Sequence, residues 1–300
     1  MSGTINFRQA IPSDIPRLID LMNSQYVRKK GEAYFLWQYF NAYYPTVLFC
    51  AFDKTQLVGM FGFQRRQLLN GATVGQAIDM LVAHDFRKQG VFKTLAGLAT
   101  QSFRGCDLLC VFSNLNGKRV VEKALGWKTI GAITTMCGEP CTLEAASSSS
   151  FESPRTERRQ SPVRFLYNDA IRKWRFDAHP DYEYRYAYIG DEMFAVTKVF
   201  TDPVDGKRFG DIVEFECDLD NGVSLRNVLL QASRYLERQG VEKIALWGSP
   251  HTPVYDIALE LGFREARQER FLCVHVLNDR YNYLADFSRW HLVQADSEIF

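Results

Sequence analysis

No stretch of this chain is apolar for long enough to cross a bilayer, which takes about 20 consecutive residues. The opening residues, MSGTINFRQAIPSDIPRL, hold no apolar run preceded by basic residues. That excludes a secretory signal there, and a soluble cytoplasmic protein without a membrane partner is expected. Charge of one sign is missing too: 36 Lys and Arg stand against 35 Asp and Glu, a formal net charge of +1. So close a balance argues against a dedicated nucleic-acid binder, and any anion site must come from a local arrangement. Histidine is scarce, with five in the chain, and His179, His251, His275 and His291 have no motif around them. The seven cysteines are odd in number and sit mostly in apolar runs such as CDLLCVF. Cys137 and Cys141, in CGEPC, make at most half a metal site; no second pair or nearby histidine completes it, and no metal is expected.

What is present is a repeated order of elements. Phe92, Leu95, Ala96, Ala99 and Phe103 are spaced as one face of an amphipathic helix, and Leu225, Val228, Leu229, Ala232 and Leu236 repeat that spacing. Each helix is followed by a glycine (Gly105, Gly240) and an apolar strand (DLLCVFS, KIALWGS). A short helix then ends in ALGW at 124–127 or ELGF at 260–263, and another strand follows. Upstream, FLWQYFNAYYP (35–45) matches IRKWRFDAHP (171–180) around Trp37 and Trp174. An ordered series of this kind points to an internal duplication with a period close to a whole domain. Between the copies, residues 140–162 are rich in serine, proline and charge and read as a linker or mobile loop. The expected division is 1–139, linker 140–162, and 163–300. Each half reads helix, three antiparallel strands, long helix, buried strand, short helix, strand. Runs without alternation, such as LLCVF, suggest a central strand covered on both faces, and the fold class is α+β.

Residues 84–95, HDFRKQGVFKTL, lie between the apolar stretch Met80-Leu81-Val82-Ala83 and the first long helix. A basic, glycine-containing loop at a helix N-terminus has the layout of an anion site, because first-turn amides are unpaired and the helix dipole favours negative charge there. Gly90 lets backbone approach a ligand, and Arg87 and Lys88 supply charge-assisted bonds. A solvated basic turn with a capping glycine is the other reading of this stretch taken alone.

The wider segment IDMLVAHDFRKQGVFKTLAGLA resembles the core motif of the GNAT superfamily of acyl-CoA-dependent N-acyltransferases. That motif, Arg/Gln-x-x-Gly-x-Gly/Ala straight after the fourth strand, stands here as Arg87-Lys88-Gln89-Gly90-Val91-Phe92, with Phe92 in place of a small residue. NLNGKRVVEKALGW (114–127) resembles the next motif of the family, and the likeness spans roughly 46–131 and, more weakly, 182–277. The resemblance implies tandem GNAT-like domains, each a mixed, largely antiparallel sheet flanked by helices. It implies that the amides of Lys88, Gln89, Gly90, Val91, Phe92 and Lys93, with the Arg87 side chain, hold the pyrophosphate of acetyl-CoA or another short-chain acyl-CoA. It further implies that the pantetheine arm runs along Met80, Leu81 and Val82, in a gap between the fourth and fifth strands. Asn114 or Asn116 then sits near the thioester, with plain helix capping as the alternative for both. Phe92 either narrows the approach to the pyrophosphate or sets a ring against the cofactor. In the second half the equivalent loop, DLDNG (218–222), carries Asp218 and Asp220 instead of cations. Carboxylates repel a pyrophosphate, so one coenzyme site per chain is expected, in the first half.

Amine acylation requires a deprotonated amine, a polarised thioester, close placement of the two, and a proton for the departing thiolate. Asp79, the only acid on the strand entering the loop, is the first candidate base. A hydrogen-bonded structural carboxylate, or a ligand for the substrate amine, is the equal alternative. His84 is the second candidate, with a solvated turn residue as the plainer reading. Many relatives carry a tyrosine in the helix before Leu-Gly-aromatic; none occurs between Asn114 and Trp127, where Val121 and Glu122 stand, so the acid is unassigned. The amide of Leu81 or Val82 is the implied carbonyl polariser.

Residues 26–44 hold Tyr26, Tyr34, Phe35, Trp37, Tyr39, Phe40, Tyr43 and Tyr44, more aromatics than one helix face buries. Trp37 and Tyr39, with Asp79, are therefore candidates for acceptor binding, in a cleft between the halves. Tandem GNAT-like halves, early tryptophans and the tail FSRWHLVQADSEIF together resemble bacterial acyltransferases of surface-polysaccharide pathways. That likeness implies transfer from acyl-CoA to the amino group of a dTDP- or UDP-linked amino sugar, by direct attack without a covalent enzyme intermediate. Two alternatives stay open: another amine (aminoglycoside, polyamine, amino acid, protein lysine), or a non-catalytic acyl-CoA-binding scaffold. Both monomer and homodimer fit the sequence.

Overall fold

The computed structural model describes residues 4–140, 162–250, 252–266 and 270–298. Most of the expected linker, 141–161, lies outside the described residues, as do Cys141 and His251. Among the described residues no helix is long and apolar enough to cross a membrane.

The chain divides into two compact units. The first comprises 1–130, 165–181 and 271–285, and the second 131–164, 182–270 and 286–300. Both are mixed α+β structures built on a largely antiparallel sheet, as the sequence leads one to expect.

The first unit is built on a seven-stranded sheet. In chain order its strands are β1 (Asn6–Gln9), β2 (Thr46–Asp53), β3 (Gln56–Gln67), β4 (Thr73–Val82), β5 (Leu108–Ser113), β6 (Lys128–Ile133) and β13 (Arg270–Val276). Their spatial order is β1-β2-β3-β4-β5-β13-β6. Alternation along β3 explains how both faces are filled: Met60 faces one core and Phe61 and Phe63 the other. The first core lies under helix α1 (Ile15–Gln25) and gathers Ile15, Leu18, Met22, Phe35, Ile78 and Leu81. The second lies under α3 (Val91–Ser102), whose Leu95, Ala96 and Ala99 are fully buried. The β5 sequence LLCVFS is buried at every position, the reason it shows no polar alternation.

Two short helices of this unit share one irregularity. α2 (Glu32–Phe35) continues into a π-turn over Leu36–Phe40, and α5 (Asp169–Arg172) into a π-turn over Lys173–Asp177. Each closes with an amide reaching back five residues, Asn41 to Leu36 at 2.6 Å and Ala178 to Lys173 at 2.9 Å. The sequence match around Trp37 and Trp174 is therefore a match of backbone form as well.

The second unit repeats the plan on six strands in the order β12-β7-β11-β10-β9-β8. These are β7 (Thr135–Gly138), β8 (Tyr184–Ile189), β9 (Met193–Thr201), β10 (Arg208–Glu216), β11 (Lys243–Trp247) and β12 (Arg264–Glu265). Helix α6 (Gly222–Arg238) buries Leu225, Val228, Leu229, Ala232 and Leu236 completely, and α7 (Pro253–Glu260) precedes β12.

Contacts do not follow the simple order of the two sequence halves. The last strand of the first half, β7, pairs antiparallel with β11, and the last strand of the second half, β13, pairs antiparallel with β5. The tail is tightly held rather than frayed: Trp290 through Ser297 are each at most 6% exposed.

Candidate active site

The site is founded on a ladder that stops early. β4 and β5 pair in parallel at Val74–Leu108, Gly75–Leu109 and Gln76–Cys110, and no further. β4 continues to Val82 and β5 to Ser113, so the two strands separate beyond Gln76. Met80, Leu81 and Val82 lie on this separated stretch; Met80 and Val82 pack on the α3 side and Leu81 on the α1 side. A strand edge without a neighbour presents amides and carbonyls for an extended ligand.

After Val82 the chain turns through His84–Phe86 and enters α3 at Gly90. Gly90 has φ +83 and Lys88 φ +62, the left-handed region in which glycine is favoured. No side chain among the described residues caps the N-terminus of α3. The contrast with α6 is direct: there Asn221 accepts from the amides of Val223 and Ser224, both at 3.1 Å. The first helix keeps its electropositive end open, and the second closes it with an asparagine beside Asp218 and Asp220.

The loop side chains are exposed at Arg87, Lys88, Gln89 and Lys93. Arg87 donates through Nε to the Val82 carbonyl at 3.0 Å and through Nη2 to Gln25 Oε1 at 2.8 Å. Gln89 Nε2 donates to the Asp85 carbonyl at 2.7 Å. Val91 is buried, and Phe92 packs edge-on against Phe61 at 5.6 Å, so its ring belongs to the second core of the first unit. His84 lies in solvent with 84% of its side chain exposed, its Nδ1 3.2 Å from Asp85 Oδ1.

Asn114 caps α4 (Leu115–Leu125), its Oδ1 accepting from the Gly117 amide at 2.8 Å, and Asn116 is exposed in the first turn. Farther along α4, Val121 is fully buried and Glu122 Oε1 accepts from Thr129 Oγ1 at 2.6 Å.

Asp79 is the chemically distinctive group. β4 bulges against β3 between the pairs Gly62–Ile78 and Met60–Leu81, and Asp79 stands in the bulge at φ +46. Its Oδ2 accepts from Tyr39 Oη at 2.5 Å and from Tyr34 Oη at 3.0 Å. Burial pushes the carboxyl above its ordinary pKa, while Tyr39, Tyr34 and the charge of Lys30 pull the other way. Lys30 lies 4.1 Å over the Tyr34 ring and pairs with Asp181 at 2.6 Å. Trp37 is 6% exposed, stacked on Trp174 at 4.7 Å and against His179 at 4.4 Å. Of the aromatic candidates, Tyr39 thus reaches Asp79, and Trp37 packs against Trp174 and His179.

Sequence reading did not single out Tyr34, Lys30 or Gln25 as members of this site. Tyr34 was visible only as one of a crowd of aromatics. Lys30 and Gln25 precede the motif by many residues and carry no local signature. Among the described residues no group of three or more His, Cys, Asp or Glu is arranged to hold a metal.

No family model and no curated protein matches the sequence. By structure the chain is similar to a GCN5-related N-acetyltransferase from Anabaena variabilis, with TM-score 0.63 and 12% identity over 92% of this chain and 73% of that one. It is also similar to a putative acetyltransferase from Pyrococcus horikoshii, with TM-score 0.54 and 14% identity over 91% of this chain and 89% of that one. A third likeness is to the GCN5-related glucosamine N-acetyltransferase region of a fungal multi-domain β-N-acetylglucosaminidase, with TM-score 0.58 and 13% identity. It covers 91% of this chain, which spans only 38% of that protein. The fold is that of the GCN5-related N-acetyltransferases.

Proposed function

We propose that the protein transfers an acyl group from acetyl-CoA or another short-chain acyl-CoA to the primary amine of a nucleotide-linked amino sugar. The observation that carries this reading is the pairing of an uncapped α3 N-terminus, behind Arg87-Lys88-Gln89-Gly90, with a β4–β5 ladder that ends at Gln76. Amides from Lys88 to Lys93 hold the pyrophosphate, as helix N-termini do for phosphates generally. The pantetheine arm extends along Met80, Leu81 and Val82. Arg87 reaches the phosphates by exchanging its bonds to Val82 and Gln25 for them.

In the reaction, the Asp79 carboxylate takes one proton from the acceptor ammonium. The freed nitrogen lone pair forms the C–N bond at the thioester carbonyl, and the C–S bond breaks with its electrons leaving on sulfur. The remaining surplus proton on nitrogen passes to the thiolate, giving amide and free coenzyme thiol, and Asp79 returns its proton to solvent. Attack is direct, with no covalent enzyme intermediate. Support for an amino-sugar acceptor comes from the resemblance to polysaccharide-pathway acyltransferases and from the glucosamine N-acetyltransferase region among the structural relatives.

The test is thiol release from acetyl-CoA with dTDP- and UDP-amino sugars set against an aminoglycoside, a polyamine and a lysine peptide. Preference for a nucleotide sugar supports the proposal, and preference for another amine moves the acceptor. Coenzyme binding without turnover on any amine supports the scaffold reading, which the engagement of Glu122 with Thr129, where relatives carry a tyrosine, favours.

A further inference from the structure

Three local irregularities converge on one hydrogen bond. The first is the β4 bulge, which places Asp79 at φ +46, a sparsely populated backbone state for a non-glycine residue. The second is the π-turn over Leu36–Phe40, a form that is rare and concentrated at functional sites. The third is Gly62 on β3. A Cβ there would lie 2.9 Å from Tyr39 Cε1 and 2.9 Å from Ile78 Cγ1, so the missing side chain is the space the tyrosine ring occupies. The bulge turns the carboxylate, the π-turn carries the phenol, and the glycine admits the ring. Their joint result is Tyr39 Oη 2.5 Å from Asp79 Oδ2, with Tyr34 Oη on the same oxygen at 3.0 Å. No hydrogen bond to Asp79 Oδ1 is present among the described residues.

Strain that persists at one carboxylate is a pointer to use of that carboxylate. We propose that Tyr39 is the positioning residue for Asp79: it fixes Oδ2, leaves Oδ1 to meet the acceptor amine, and holds the group in its proton-accepting form. This inference rests on the N-acyltransferase reading above. Tyr39 donates its hydroxyl hydrogen throughout and is neither consumed nor ionised. The ionisable groups facing Asp79 are Tyr34 from α2, Tyr39 from the π-turn and Lys30 from the segment after α1, with Asp181 behind Lys30 as its counter-charge.

The decisive variant is Tyr39→Phe, which keeps the ring in the Gly62 space and deletes the donor. Turnover is expected to fall about tenfold to a hundredfold with the KM for acyl-CoA unchanged. The acid limb of kcat/KM is expected to move about one pH unit upward, because the charged carboxylate loses its shorter donor. Tyr34→Phe should move the limb less. Normal kcat and an unshifted limb in Tyr39→Phe overturn the inference and leave the acyltransferase reading standing. Absence of turnover by the wild-type protein on every amine overturns that reading and this inference with it. Infrared titration of the Asp79 carboxyl, assigned by subtracting an Asp79→Asn spectrum, supplies a readout free of turnover. An Asp79 midpoint that is the same in wild type and Tyr39→Phe also overturns the inference.

Discussion

The indole N–H of Trp37 donates to the Trp174 carbonyl at 2.9 Å, and the indole N–H of Trp174 donates to the Trp37 carbonyl at 3.3 Å. Their rings stack at 4.7 Å and 15°. Each residue is second in its π-turn, so two segments of matching sequence grip each other by the same atoms. An aromatic pair adds about 0.5–1.5 kcal/mol beyond its buried area. Trp174→Ala should therefore cost about 3–5 kcal/mol in urea unfolding. Combined with Trp37→Ala, the losses should fall short of their sum by about 1 kcal/mol or more. Additivity within about 0.5 kcal/mol would remove the coupling.

The unequal helix ends give a binding prediction. Titration calorimetry with acetyl-CoA should return one equivalent per chain, because α6 is capped by Asn221 and flanked by Asp218 and Asp220. Arg87→Ala should weaken coenzyme affinity about tenfold to a hundredfold, the worth of a charge-assisted bond. The melting temperature of the unliganded protein should not move, since Arg87 is exposed.

Asp14 gives a pH-dependent stability term. It is buried, accepts from both terminal nitrogens of Arg8 at 2.6 and 2.7 Å, and accepts from the Ile11 amide at 3.0 Å. The Arg8 hydrogen bonds hold its carboxyl below the ordinary range, against the opposing effect of burial. A folded-state pKa that is depressed means stabilisation present above the unfolded value of 3.8 and lost as pH falls through the folded one. Asp14→Ala should cost about 1–3 kcal/mol at neutral pH, and the difference from wild type should shrink below about pH 4.

His291 has the same sign by another cause. Burial, and secondarily Arg164, depress its pKa from 6.5 to about 3, and its Nε2 has no hydrogen-bond partner among the described residues. The folded state keeps the ring neutral where the unfolded chain takes up a proton. Stability should fall by about 1.4 kcal/mol per pH unit between about pH 6 and pH 4. His291→Phe should flatten that slope; an unchanged slope would show that His291 is protonated in the fold.

Much of the fold was legible because it is written in local patterns. The buried faces of α3 and α6 follow from spacing, and the burial of β5 follows from LLCVFS lacking polar alternation. The exchange of β7 and β13 was not legible, since nothing in a strand of four or seven residues names its partner. At the site, Gly90 and the loop cations were visible as a motif. Phe92, expected either to narrow the approach to the pyrophosphate or to set a ring against the cofactor, is also periodic with Leu95 and packs against Phe61. The link from Asp79 to Tyr34 and Tyr39 depends on a bulge, a π-turn and a glycine on a third strand, and no window of sequence holds all of them.

The traded strands bear on how such a chain assembles. A fragment of residues 1–139 would retain β5 but lack β13 to cover its edge, and a fragment of residues 163–300 would retain β11 but lack β7. Open strand edges recruit other chains, so each piece made alone is destined for clumping, and the two should become soluble only when synthesised in the same cell. Cutting between the halves therefore takes from each sheet one of its own strands.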